Sequence, residues 1–211
     1  VRPPIAAAGH AVFTPSLTGI GERAHLASPQ VDLSTHVQDV VNTVLYEDLS
    51  DIVLLGFSYG GFVVTGALGA IGDRVRHLVY LDAFVPGDGE TLLGITGQSA
   101  DRVLALGAQW LVPPPDRAYD DPAEAAFSVA RRTSHPVGCF TEPVRLRRPL
   151  EDYPFGRTYI KATDEPEPSP FWTSARRAET SPAWEYREIA TSHLIPVNRP
   201  SELADLLLQL R

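Results

Sequence analysis

The sequence predicts a layered α/β fold built on a mostly parallel sheet, and three observations lead there. Apolar runs at 52–55 and 78–81 are continuous, the mark of strands buried on both faces. Stretches of helical period separate the strand-like runs, which is the succession that parallel sheets need. The first run leads directly into Gly56-Phe57-Ser58-Tyr59-Gly60 and then an apolar stretch at 61–68. Strand, sharp turn and helix in that order are the setting in which a G-x-S-x-G serine is held exposed on a strained turn. Glycines on either side leave room where side chains would clash.

Each element can be justified in turn. Residues 1–9 read as the end of an amphipathic helix stopped at Gly9, and 11–13 as a short strand. A loop rich in Gly, Ser and Pro follows at 14–31. Val37, Val40, Val41, Val44 and Leu45 then form one apolar helix face, with Asp32 or Ser34 available as its cap. After the turn serine, its helix and the strand at 78–81, alternation breaks. Residues 84–154 carry many prolines, including Pro113-Pro114-Pro115, and only short helical stretches at 99–106 and 122–132. This segment reads as an insertion over the sheet, leaving 1–83 and 155–211 as the core. Alternation resumes with a strand at 158–161, a helix at 170–180 after a loop marked by Pro166, Pro168 and Pro170, and a strand at 184–189. A last helix, striped by Leu203, Leu206, Leu207 and Leu210, runs to Arg211 with Pro200 near its start.

The totals exclude several functions. A chain of 211 residues, 44% hydrophobic, suits one domain with a substantial core. A net charge of −8 with no basic block argues against nucleic acid. The single cysteine, Cys139, rules out an intrachain disulfide framework and fits a reducing, cytoplasmic setting. Its neighbours Gly138 and Phe140 suggest no base beside it, so it reads as a small buried hydrophobe. The six histidines are scattered with no metal-ligand spacing, so neither metal nor cofactor is implied. The uncharged block at 52–71 is long enough to span a bilayer, but five glycines and the turn serine interrupt it, so a membrane segment is rejected. Residues 1–9 carry no secretory leader pattern, and a targeting segment upstream of Val1 stays open. A homodimer stays open.

A serine needs a base beside it, and the base a carboxylate. On a strand-turn-helix serine the order along the chain is Ser, acid, His. His10, His25 and His36 precede Ser58, His77 begins a strand, and His135 lies in the insertion. His193 follows the final strand and precedes the final helix, where a base belongs. Asp164 is the favoured acid. It follows the strand at 158–161 and lies 29 residues before His193, room for one helix and one strand. Asp82, directly after the strand at 78–81, and Glu165 are the alternatives; a structural role in a turn suits Asp82 better. The Tyr59 N–H, opening the helix, would face a developing oxyanion.

At this point a resemblance is visible. Ala8-Gly9-His10, Leu17-Thr18-Gly19-Ile20-Gly21-Glu22-Arg23, the residues at 56–61 and Tyr80-Leu81-Asp82-Ala83-Phe84-Val85-Pro86 carry it. Phe140-Thr141-Glu142-Pro143, Tyr159-Ile160 and Ser192-His193 extend it over most of the chain. The chain resembles an α/β-hydrolase of the esterase and hydroxynitrile lyase group, which includes plant methyl-ester esterases and bacterial pyrethroid-type esterases. The resemblance implies the α/β-hydrolase fold and an acid after the penultimate strand, in support of Asp164. It implies that 84–154 is a cap shaping a pocket, with Trp110, Leu111 and Phe140 as apolar lining. Phe57 stands where the group often has histidine, a variable position. Leu194 stands where its lyases carry a lysine, which favours hydrolysis of a small-molecule carboxylic ester through an acyl-enzyme over lyase chemistry or a non-catalytic binding role. The group's first parallel strand ends in His-Gly and its loop supplies the second oxyanion donor. Val1 falls after that place, so the natural protein is expected to extend upstream.

Overall fold

The computed structural model describes residues 1–105, 109–164 and 169–210. In chain order its strands are β1 (Ile52–Phe57), β2 (Val75–Leu81), β3 (Leu111–Val112), β4 (His135–Pro136), β5 (Gly156–Ala162) and β6 (Glu185–Ile189). Four of them pair in parallel in the order β1-β2-β5-β6, while β3 and β4 form a separate antiparallel ribbon. The helices are α1 (Arg2–Ala7), α2 (Leu33–Tyr46), α3 (Gly60–Ile71), α4 (Leu92–Thr96), α5 (Ala100–Leu104), α6 (Pro122–Val129), α7 (Gly138–Thr141), α8 (Pro170–Thr180), α9 (Ile195–Asn198) and α10 (Pro200–Leu208).

The strand period of two sorts the core into two layers. Leu78, Tyr80 and Tyr159 face α2, α3 and α8. Val79, Leu81, Ile160, Ala162 and Ile189 face the opposite way, toward Val1, Ile195 of α9 and Leu203 of α10. Both faces of β2 and β5 are therefore dry, which is why those strands lack a polar alternation. The apolar block at 52–71 divides into β1 and α3. Among the described residues no helix is long and apolar enough to cross a membrane.

Local chemistry sets the ends of the long helices. The Asp32 carboxylate accepts from the Thr35 N–H at 2.9 Å and caps α2. Ser34 is not the cap; its N–H instead donates at 2.7 Å to Glu142, from the segment between β2 and β5. Asp121 and Ser169 cap α6 and α8 in the same way, each followed by a proline that the first helical turn accepts.

Several short elements differ from expectation. Residues 11–13 form no strand: none of the paired strands lies beside them, and Phe13 is exposed. A ladder needs a neighbour, which three residues of apolar pattern cannot reveal. The helix expected over 99–106 is α5, capped by Ser99, and Leu106 lies outside the described residues, as do Pro166, Pro168 and Arg211. That expected over 122–132 ends at Val129. The helices α4 and α7 and the β3–β4 ribbon were not foreseen, being too short for any periodicity to register.

Candidate active site

The sheet register builds the site. Phe57 pairs with Leu81, and Leu81 pairs with Ile160. The next residue on each strand is therefore Ser58, Asp82 and Lys161, side by side at the carboxyl edge where open α/β sheets hold their ligands. The ladder continues one step past the strands, with the Ser58 N–H donating to the Leu81 carbonyl at 3.3 Å and the Asp82 N–H to the Ile160 carbonyl at 2.7 Å. Both residues then turn sharply, with φ of 54° at Ser58 and 38° at Asp82. Non-glycine residues rarely adopt this left-handed region, and strain of that kind collects at functional sites.

The turn at Ser58 depends on two glycines. A Cβ on Gly56 would stand 2.7 Å from the Gly60 carbonyl oxygen, and one on Gly61 2.0 Å from that of Phe84. Gly60 itself has open space. The close approaches are thus at Gly56 and Gly61, and the fifth residue of the motif is not needed for clearance. Tyr59 opens α3 with helical φ and ψ of −54° and −31°. Its N–H lies at the positive end of a helix dipole, where a developing anion is favoured.

His193 lies between β6 and α9 and is only 2% exposed. Its ring is sandwiched between Phe57, at 4.8 Å between centroids, and Phe171, at 4.5 Å. Phe57 immediately precedes Ser58, so the imidazole packs against the turn itself. Sequence order alone selected this histidine, and the fold carries it to the turn.

The acid differs from expectation. The structure places Asp82, rather than Asp164, against His193, with Asp82 Oδ2 2.6 Å from Nδ1. The Asp164 side chain is exposed, and its backbone N–H donates to the Thr191 carbonyl at 3.1 Å. The register explains this: Asp82 is the first residue past β2 and faces inward between Ser58 and Lys161, whereas Asp164 lies two residues past β5, on the turn that follows. Glu165 lies outside the described residues. Tyr159 locks the arrangement. Its hydroxyl accepts from the Ala83 N–H at 3.1 Å and lies 2.9 Å from the Ala83 carbonyl and 3.1 Å from that of Phe171. The turn after Asp82 and the helix bearing Phe171 are thereby tied together.

Behind Tyr59 lies a second cluster that the sequence did not suggest. His36 is fully buried, with Nδ1 3.0 Å from the Tyr59 hydroxyl and Nε2 2.8 Å from the Thr18 carbonyl. Because the carbonyl can only accept, Nε2 carries the proton and the Tyr59 hydroxyl donates to Nδ1. Cys139 Sγ lies 3.8 Å from His36 Nε2, so an imidazole does stand beside the cysteine. Burial pushes the thiol up to about 12 and pulls His36 below the usual histidine range. That is the reverse of a thiolate–imidazolium pair, and Cys139 remains a packing residue. Phe140 and His135 stack on each other and meet the Tyr59 ring edge-on, at 5.5 Å and 5.7 Å. Of the three expected lining residues, Phe140 therefore reaches the turn. Leu111 lies in the β3–β4 ribbon opposite Pro136, and the Trp110 carbonyl accepts from the Val137 N–H.

A left-handed serine between a parallel strand and a helix, with a buried histidine–carboxylate pair alongside, is the kind of arrangement that serine hydrolases use. The chain belongs to the alpha/beta hydrolase family, whose profile matches residues 3–206. It is 35% identical over 214 residues to a carbendazim hydrolyzing esterase of Nocardioides sp. (strain SG-4G), covering 95% of this chain and 88% of that protein. An extracellular alpha/beta-hydrolase from a Paenibacillus species superposes with a TM-score of 0.81 at 20% identity, over 98% of this chain and 90% of the other. A pyrethroid hydrolase from Sphingobium faniae JZ-2 superposes with a TM-score of 0.69 at 22% identity, over 99% and 88%. A methylesterase from Arabidopsis gives 0.69 at 23% identity, over 97% and 88%.

Proposed function

We propose that the chain hydrolyses a small carboxylic ester through an acyl-enzyme formed on Ser58. His193 takes the Ser58 proton through Nε2 as the hydroxyl attacks the ester carbonyl. Asp82 holds Nδ1, fixes the tautomer and stabilises the imidazolium. The Tyr59 N–H stabilises the oxyanion, His193 returns its proton to the departing alcohol, and the same imidazole then activates water to release the acid. Phe140, whose ring meets Tyr59 at 5.5 Å, is the apolar lining residue nearest the turn.

The observation that carries this reading is the 2.6 Å contact between His193 Nδ1 and the Asp82 carboxylate, placed beside a serine of positive φ. Proton transfer requires a hydrogen bond from the Ser58 hydroxyl to His193 Nε2 in the substrate complex. A fluorophosphonate probe tests the assignment. Labelling should be stoichiometric, map to Ser58 and disappear in Ser58→Ala together with the burst of p-nitrophenol from an activated ester. Undiminished turnover in that variant would end the proposal.

A further inference from the structure

Lys161 takes no part in the chemistry just described, yet its position is unusual. An ammonium in a strand covered on both faces is unfavourable unless paired. Lys161 and Asp82 are both 0% exposed. By strand alternation Lys161 shares the face of Tyr159, and its Nζ lies 2.8 Å from Asp82 Oδ1. It also donates to the Ala162 carbonyl and stands 4.5 Å from the centre of the Trp172 ring. A carboxylate, a carbonyl and an aromatic face thus surround the cation. The other oxygen of the same carboxylate holds His193.

We propose that Lys161 is a positioning residue of the catalytic centre: by gripping Oδ1 it keeps the Asp82 carboxylate turned so that Oδ2 orients His193. The inference rests on the Ser58, His193 and Asp82 reading given above.

A consequence follows for the pH dependence of the reaction. Asp82 and His193 share a short hydrogen bond, 2.6 Å between Oδ2 and Nδ1. The productive form has a charged carboxylate and a neutral imidazole. With Lys161 in place, a proton added to either partner meets a positive charge already there. Without it, the pair gains a proton at higher pH, whichever atom carries it. The other groups facing Asp82 do not substitute for the lysine. Tyr159 on β5 and Tyr186 on β6 are kept protonated by burial, well above the usual tyrosine range. Glu188 and Asp164 are exposed and of the wrong sign, and α8 presents the uncharged rings of Phe171 and Trp172. Among the described residues, Lys161 is the cation in contact with Asp82.

The test is Lys161→Met, which keeps length and apolar volume while removing the charge. The pH profile of kcat/KM on a p-nitrophenyl ester should shift its acid limb upward by about one to three pH units. Much of the rate should return on the alkaline side. An even loss of rate at every pH, with the limb unmoved, overturns the proposal, as does a profile identical to the parent. Should K161M fail to fold, the K161M/D82N double variant should regain folding because no lone charge is left buried; a double variant that also fails to fold overturns the proposal. Persistence of activity in Ser58→Ala would sink the underlying triad instead, so the two failures are distinguishable.

Discussion

Two buried histidines flank the Ser58 turn, and they are built for opposite ends. His193 meets a carboxylate that a lysine holds in turn. His36 meets a hydroxyl and a carbonyl, both neutral. Burial is nearly the same for both, so burial does not make a general base. The partner does: a carboxylate stabilises the imidazolium that forms during proton transfer, whereas a hydroxyl and a carbonyl fix a neutral ring and leave neither nitrogen for chemistry. One cluster is an ionic chain beside the Ser58 turn, and the other is a neutral strut beneath Tyr59.

The comparison is broken most severely by exchanging the roles. His193→Ala should lower kcat/KM by about 10⁴- to 10⁶-fold. His36→Leu should leave it within about tenfold of the parent, because the lost hydrogen bonds weaken the fold by about 1–3 kcal/mol rather than the chemistry. Ester kinetics and urea melts on the two variants would read both effects. A His36→Leu enzyme as inactive as His193→Ala, yet fully folded, would erase the distinction.

The acid provides the next largest effect. Asp82→Asn should reduce kcat by about 10³- to 10⁴-fold through loss of the correct tautomer. Asp164→Asn, altering an exposed side chain, should change it by less than about threefold. Equal losses in the two variants would show that the carboxylate next to His193 in the structure is not the one used in turnover.

Stability against pH sharpens the contrast at the neutral cluster. Burial pulls His36 below the usual histidine range and pushes His135 down to about 4. The unfolded chain then binds protons more readily than the native one, so stability is full above about 6.5 and falls as pH drops toward the folded value. The loss from His135 should not exceed about 1.4 kcal/mol per pH unit across that window. His135→Phe, which retains stacking on Phe140, should flatten the urea midpoint between pH 7 and pH 5. A midpoint unchanged by the substitution would show that His135 is not held neutral.

The smallest effect belongs to the cysteine. Cys139→Ala should leave ester turnover intact and cost about 1 kcal/mol as a small cavity. A variant that loses turnover while remaining folded would give the thiol a role that its burial argues against.

Those clusters also mark how far residue patterns could lead. The serine turn, the choice of His193 and the parallel sheet could be read because each is local or follows chain order: an apolar run, a five-residue motif, a histidine between a strand and a helix. Asp164 was preferred over Asp82 because both follow strands, and spacing cannot tell which carboxylate faces inward. Lys161 carried a usable signal, since a lysine within a strand covered on both faces requires a counter-charge. The neighbourhood of His36, Tyr59 and Cys139 had no such signal, because its members come from 23 to 103 residues apart.

What the sequence determined by itself was the alternation of the four sheet strands with the long helices, the strained serine and the histidine ahead of the last helices. These rest on backbone geometry and on short-range hydrophobic period, both of which act along the chain. The tertiary structure alone decided which carboxylate reaches the imidazole, which cation holds it and which histidine meets neutral partners. Those choices depend on strand register, which brings residues 58, 82 and 161 to one level through hydrogen bonds between segments that are distant along the chain.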